Sequence, residues 1–150
     1  MPRVRPARPG EDGAMLALVR TAYARWVPLI GREPAPMTDD YAARIAAGQG
    51  FVLEAPDGRI LGLVVLEEEP EALLLDNIAI APEAQGQGLG HGLMDFIEAE
   101  ARRRGHRLIR IFINAAMEAN IRLYESLGFV ETHRAMQGAF RRVNMEKRLP

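Results

Sequence analysis

The sequence contains no cysteine. That absence excludes disulfide staples, thiolate metal ligands and a cysteine nucleophile. Lysine is almost as scarce. Lys147 stands alone among 19 lysines and arginines, which leaves a Schiff-base lysine or a phosphate-loop lysine nearly nowhere to come from. The accompanying excess of arginine and alanine fits GC-rich coding better than a functional demand. An excess of charge of one sign is missing too: 19 basic against 20 acidic side chains leave a formal net charge of -1. No broad positive field exists to hold nucleic acid or an anionic membrane, so neither is an expected partner. No apolar run approaches the roughly 20 residues needed to cross a bilayer, and Met-Pro-Arg-Val-Arg at the N-terminus lacks the apolar core of a signal peptide. A cytoplasmic protein without a metal centre is the expectation.

What is present suits one domain spanning residues 1–150, with 48% hydrophobic and 26% charged residues. No repeat, low-complexity tract or long linker divides the chain. Val4 to Ala7 reads as a first strand. Pro9-Gly10-Glu11-Asp12 then opens a helix carrying Met15, Leu16, Leu18, Val19, Ala22, Tyr23 and Trp26 at helical spacing, with Pro28 predicted to end it. Gly31 to Met37 reads as loop, and Thr38-Asp39-Asp40 as the N-cap of a helix reaching Gly48. Phe51 to Ala55 and Ile60 to Glu67 flank the turn Pro56-Asp57-Gly58-Arg59 and form a hairpin. Leu73 to Ile80 is a more buried strand. A helix from Gly88 to Arg104, a strand from Leu108 to Ile113, a helix from Ala116 to Leu127 and strands over Phe129 to Arg134 and Arg141 to Arg148 complete the chain. Three consecutive strands in this order predict an α/β plan, of α+β type, around a mostly antiparallel sheet with about four flanking helices.

The most informative stretch is Ile78-Ala79-Ile80-Ala81-Pro82-Glu83-Ala84-Gln85-Gly86-Gln87-Gly88-Leu89-Gly90-His91-Gly92. It sets alternating glycines between a buried strand and a long helix, so several backbone N–H groups converge at the positive helix end, where a phosphate or pyrophosphate fits. A packing role for the same glycines competes with this reading. Other phosphate motifs fail on their own terms. A dinucleotide fingerprint begun at Gly86 and Gly88 needs glycine or alanine where His91 stands, and a Walker loop needs a lysine that the region lacks.

At this point the chain resembles the GNAT family of N-acetyltransferases, whose pyrophosphate loop, Q/R-x-x-G-x-G/A, is matched by Gln85, Gly88 and Gly90. The resemblance extends to Asn120-Ile121-Arg122-Leu123-Tyr124-Glu125-Ser126-Leu127-Gly128-Phe129, which looks like the family's L-Y-E-x-L-G-F helix end, and to the closing strand through Leu149. It implies a single GNAT-like domain whose two middle strands splay apart to admit acetyl-CoA, with no metal. The pantetheine arm would lie along Ile78, Ala79 and Ile80. The pyrophosphate would rest on the loop of Gln85, Gly86, Gln87, Gly88, Leu89, Gly90 and His91. The resemblance gives cofactor contact to Asn120, and leaving-thiolate contact to Tyr124. One departure weakens the first: many members carry that asparagine three residues earlier, where this chain has Met117. An aromatic on the inner face of a helix is also an ordinary core residue, so Tyr124 has a second reading.

The acceptor amine must lose a proton, and Asp76, Glu67, Glu68, Asp39, Asp40 and His133 are candidate bases. Glu67-Glu68-Glu69 reads as a solvated strand end and His133 as a surface residue. Asp76 and Asn77 interrupt an otherwise apolar strand, where polar side chains are costly unless paired or functional, so Asp76 is taken as catalytic and Asn77 as substrate-contacting. Tyr23, Trp26, Met37 and Tyr41, with Ile30, Pro34 and Pro36, are read as the acceptor wall; packing of Tyr23 and Trp26 on the sheet is the competing reading. Glu33, Asp39 and Asp40 would attract a cation. The implied reaction is acetyl transfer to a primary amine on a small molecule or peptide. A non-catalytic acyl-CoA sensor with the same fold, or a nucleotide-binding protein, is the alternative, and a homodimer is left open.

Overall fold

The computed structural model describes residues 2–138 and 140–150. Seven strands form one sheet: β1 Arg3–Pro6, β2 Gly50–Glu54, β3 Ile60–Glu68, β4 Leu73–Ile80, β5 Leu108–Asn114, β6 Val130–Gln137 and β7 Phe140–Arg148. Their spatial order is β1-β2-β3-β4-β5-β7-β6. Every neighbouring pair is antiparallel except β4 and β5. At that exception the link through the 15-residue helix Leu89–Arg103 supplies the long crossover that a parallel pair needs. The mostly antiparallel sheet expected from the sequence is therefore present.

The helices are α1 Asp12–Tyr23, α2 Val27–Ile30, α3 Tyr41–Ala46, α4 Leu89–Arg103 and α5 Glu118–Ser126. Four carry most of the helical residues; α2 is a single turn. Pro28 does not stop the chain's helical course as its ring suggested. It sits in the first turn of α2, where its missing N–H has no intrahelical partner to lose, and Gly31 closes that turn. Ala35–Thr38, with Ala35 to Met37 expected as loop and Thr38 as part of an N-cap, winds into a turn of 3-10 helix. At α3 the N-cap falls on Asp40, whose side chain accepts from the Ala43 N–H at 3.1 Å.

Strand β3 shows how the sheet is covered. Leu63 and Val65 face a cluster with Met15, Val19, Tyr41 and Val52 under α1 and α3. Val64 and Leu66 face the other cluster, with Leu93, Ile97 and Ala101 of α4. Period-two alternation with both faces apolar makes a continuous hydrophobic run, which is why β3 reads as buried rather than amphipathic.

One ion-pair node ties the N-terminal strand to this body. Arg5, 9% exposed, donates to Glu11 at 2.9 and 2.8 Å and to Glu54 at 2.9 Å, joining β1, β2 and the start of α1. Hydrogen bonds from the Arg5 guanidinium hold the Glu11 carboxyl down at about 2, from an ordinary 4.5, against the opposing effect of burial. A depressed folded-state value adds stability that is present above the ordinary value and lost on descending through the folded one. Urea-unfolding midpoints should accordingly fall between about pH 4.5 and about pH 2, and Glu11→Gln should flatten part of that slope. An unchanged slope in the variant would show that the node does not report on folding.

Candidate active site

Strands β4 and β5 pair only over three residues, Leu73, Leu74 and Leu75 with Ile109, Arg110 and Ile111. Beyond that point β4 runs to Ile80 and β5 to Asn114 without each other, while β5 stays zipped to β7 as far as Asn114 opposite Arg142. The cause is visible on the other edge of β4. The β3–β4 register pairs Val65 with Asn77 but Leu66 with Leu75, leaving Asp76 as an extra residue. Such a bulge bends its strand and increases the local twist, and here it coincides with the loss of β5. The expected splay is thus present, and it begins at Asp76.

Backbone groups on an opened edge need other partners. The Ile78 carbonyl lies 3.2 Å from the Tyr23 hydroxyl, whose one proton it shares with the nearer Asn77 Oδ1, and the Ile80 carbonyl accepts from the Gln85 amide at 3.1 Å. Two cavities occupy the opening. One, of about 270 Å³, is lined by Ile78, Ala79, Ile80, Gln85, Gly90 and His91 among others. The second, of about 190 Å³, is lined on one side by Asp39, Arg44, Asp76 and Asn77 and on another by Phe140 and Arg142. Tyr23, Ile78, Asn120 and Tyr124 line both, so the cavities meet at these residues.

The larger cavity ends at the glycine turn. Gly86 and Gly88 have φ of 78° and 77°, in the left-handed region, and Gly88 is the N-cap of the 15-residue α4, where no side chain caps the free amides. A Cβ built on either glycine would meet no heavy atom within 4 Å, so these glycines are not required by packing; their backbone conformation requires them. Uncapped amides at the positive end of a long helix, beside a cavity, suit an anion. Leu89 begins the helix, and Gln87 lies exposed with its amide 3.4 Å from the Glu83 carbonyl.

The three tyrosines divide sharply. Tyr23 donates to Asn77 Oδ1 at 2.6 Å; Asn77 Nδ2 donates to Tyr41 Oη at 3.1 Å; and Tyr41 donates to the Pro36 carbonyl at 2.6 Å. This relay crosses from α1 through β4 to α3 and satisfies Asn77, which is 4% exposed. Tyr124 has no hydrogen-bonding partner among the described residues, and its hydroxyl is not sealed off, because no buried side-chain polar atom is left unpaired. Its ring packs edge-on against Phe129 at 5.5 Å. Burial, and to a lesser degree Tyr23, push its pKa well above the ordinary 10. It is therefore a neutral hydroxyl facing the junction, a donor and not a base.

Asp76 lies in the smaller cavity with its carboxylate 3.2 Å from Arg44 Nη2. Burial raises its pKa, Arg44 opposes that, and Glu67 and Asp39 add to the rise. Arg44 also bonds to Asp39 at 2.9 Å, to Glu67 and to Gln49 at 3.0 Å. The Glu67-Glu68-Glu69 run is not a free solvated end: Glu67 pairs with Arg44, Glu68 with Arg104 and His106, and Glu69 with Arg110. His133 is exposed on β6, away from both cavities.

The other acceptor-wall residues separate. Tyr23 and Asn77 line the smaller cavity; Trp26 lines only the larger. Met37 and Tyr41, 4% and 2% exposed, are buried under α1 and line neither. Their apolar character, taken for a pocket wall, serves the core instead. Sequence reading did not single out Asn114, Phe140 or Arg142, which the strands β5 and β7 bring to the cavity, nor Arg44, which reaches it from α3. Among the described residues, no group of three or more His, Asp or Glu converges as a metal site would, and no helix is long and apolar enough to cross a membrane.

With this geometry in view, residues 16–129 match the Acetyltransferase (GNAT) family. The chain belongs to that family. It is 35% identical over 75 residues to the [Ribosomal protein bS18]-alanine N-acetyltransferase of Escherichia coli (strain K12), covering 50% of this chain and 51% of that protein. It is 30% identical over 140 residues to the mycothiol acetyltransferase of Tsukamurella paurometabola, covering 85% of this chain and 48% of that protein. The chain thus spans about half the length of these curated relatives. Among solved structures, the PaiA N-acetyltransferase of Thermoplasma acidophilum, in complex with coenzyme A, superposes with a TM-score of 0.81 over 99% of both chains at 15% identity, a likeness of fold.

The division among tyrosines is testable by stability alone. Tyr23→Phe and Tyr41→Phe each remove a satisfied hydrogen bond and should lower unfolding free energy by about 0.5–1.5 kcal/mol, whereas Tyr124→Phe should change it by under about 0.5 kcal/mol. A Tyr124→Phe cost equal to the other two would make Tyr124 a structural tyrosine.

Proposed function

We propose that the protein is an acetyl-CoA-dependent N-acetyltransferase that acetylates a primary amine by direct attack on the thioester. The observation that carries this reading is the Tyr124 hydroxyl, without a hydrogen-bonding partner among the described residues, where the two cavities meet beside the opened edge of β4. The relatives' names, an alanine N-acetyltransferase and a mycothiol acetyltransferase, and the coenzyme A complex of a protein with the same fold support it.

Bound acetyl-CoA supplies an activated acetyl carbonyl and a thiolate leaving group. The chain's residues do the rest. Backbone groups of Ile78, Ala79 and Ile80 take the place of a missing strand partner for the pantetheine amides. The amides of Gly86 to Gly90, at the head of α4, hold the pyrophosphate, flanked by Gln85 and His91. Asn120 borders the junction and orients what lies there. In the transfer a C–N bond forms as the C–S bond breaks; one proton leaves the amine and one reaches the sulfur. Asp76 receives the first, its raised pKa making it a stronger base than an ordinary carboxylate. Tyr124 donates to the departing sulfur. A simple thiol at about 8.5 lies below any tyrosine at about 10 or above, so full transfer is uphill and a strong hydrogen bond carries much of the effect.

Saturating acetyl-CoA should raise the melting temperature, a ligand at 100 times its Kd adding about 2.7 kcal/mol. Gly88→Val places a side chain at φ 77°, at a strain of roughly 1–2 kcal/mol, and should remain folded while losing that shift. No shift in the wild type would remove acetyl-CoA from the account, and an undiminished shift in Gly88→Val would make the loop structural.

Tyr124→Phe should lower kcat with little change in acetyl-CoA affinity, because the interaction it removes is made mainly in the transition state. A fall of about 10²- to 10⁴-fold indicates proton donation, and a smaller one hydrogen bonding alone. Full wild-type turnover, with chemistry shown to be rate-limiting, would take Tyr124 out of the mechanism.

A further inference from the structure

We infer that the acceptor is a small zwitterion, an amine with a carboxylate a few bonds away, of which a free α-amino acid is the simplest. This rests on the acetyl-transfer reading above and extends it to the molecule that the smaller cavity takes.

The cavity is electrically two-sided. On one wall, Asp39 and Asp76 share a single guanidinium, that of Arg44, with Glu67, which does not line the cavity; the group carries a net charge of -2 beside the place where the amine must shed its proton. Arg44 is fully engaged: it reaches three carboxylates and the Gln49 amide oxygen and has little left for a ligand. On the other wall stands Arg142. Its one side-chain hydrogen bond among the described residues goes from Nη1 to the neutral Gln137 Oε1 at 2.7 Å, and no carboxylate pairs with it. Its guanidinium carbon lies 5.8 Å from the ring centroid of Phe112, another lining residue. Arg142 nevertheless acts across the cavity on Asp76, whose carboxyl it helps keep ionised.

A half-buried arginine without an anion, facing a cavity, has donors in the fork geometry that a carboxylate matches. The acidic wall suits an ammonium and Arg142 suits an anion, and the cavity, about 190 Å³, separates them by no more than a small molecule. A polyamine would set its second cation against Arg142. A peptide N-terminus would offer a neutral amide there and leave the charge unanswered. Both fit the pocket's charges less well than an amino acid.

The test compares a panel of free L-amino acids with their α-carboxamides and with terminal diamines, by thiol release from acetyl-CoA. Each acid and its amide differ only at the carboxylate, and the amide's less basic amine would favour the amide. A charge-assisted bond from Arg142 should give the best acid a kcat/KM about 10- to 100-fold above its amide. Arg142→Gln should bring that ratio near one, and Arg142→Lys, which keeps the charge but loses the fork, should retain part of it. Because the ratio is internal to each variant, a change in overall rate does not enter it. Amides or diamines used as well as acids, or a ratio unchanged in Arg142→Gln, overturns the inference. So does a wild-type protein that is stabilised by acetyl-CoA yet neither acetylates nor is further stabilised by any amino acid, and that result leaves the acetyl-CoA reading standing. No response to acetyl-CoA at all takes down both.

Discussion

Much of this structure follows from the interruption of β4 at Asp76. A strand in mid-sheet has two edges to satisfy, and each buried backbone group left unpaired costs roughly 1–3 kcal/mol. The bulge against β3 and the loss of β5 occur at the same residue, so the chain exposes the Ile78–Ile80 edge and must answer for it. It does so with side chains from elements on either side of the opening, Tyr23 from α1 and Gln85 from the glycine turn. These bonds cover carbonyls that β5 would otherwise have met. They leave the groove between β4 and β5 open, with α5 presenting Tyr124 and Asn120 across it. The cavity junction is therefore a consequence of strand geometry, and the side chains around it inherit their positions from the splay.

Keeping such an opening from collapsing takes rigid struts, and arginine provides them. Arg44 joins α3 to β3 through Glu67 and to β4 through Asp76, with Asp39 just before α3 as its third carboxylate, and Arg5 joins β1, β2 and α1. A planar guanidinium with five donors can bridge several acceptors at once in fixed geometry, which a lysine ammonium on its flexible stem does less well. The arginine bias that looks compositional in the sequence thus finds structural use, whatever its origin. Arg142 is the informative exception, since it is held by a neutral amide and faces the cavity.

The features legible in the sequence were those that depend on neighbours in the chain. Leu73 to Ile80 was readable as a buried strand from its apolar run, and the α4 start from glycines whose left-handed backbone is a local requirement. The glycine loop and the Leu-Tyr-Glu segment pointed to the family for the same reason: each is a short motif whose chemistry is complete within a dozen residues. What escaped is long-range. The Tyr23–Asn77–Tyr41 relay spans 54 and then 36 residues of sequence, so nothing local distinguishes Tyr41, a buried support, from a pocket wall. Met37 misled likewise, because an apolar side chain in a proline-rich connection suits a cleft and a core equally. Arg142 sits in an ordinary-looking final strand, and only the β5–β7 register, which sets it opposite Asn114, turns it toward the site.

Three tyrosines of one chemical type end in different roles, and their hydrogen-bond partners sort them. Burial raises the pKa of all three, so titration alone does not separate a catalytic hydroxyl from a structural one. Partnership does. A hydroxyl already donating to Asn77 or to the Pro36 carbonyl would have to break a satisfied bond before serving a substrate, at a cost comparable to the bond itself. Tyr124 has no such bond to break, yet its ring is fixed by Phe129 and the helix around it. A donor that is held in place by packing and idle in its hydrogen bonding is preorganised for charge that appears only during reaction. Asp76 is arranged in the complementary way: its ion pair with Arg44 fixes the carboxylate while burial keeps it more basic than in water. The two groups stand on opposite sides of the splay, one on β4 and one on α5, so in the mechanism we propose the strand separation that would admit a substrate would also keep the proton acceptor apart from the proton donor.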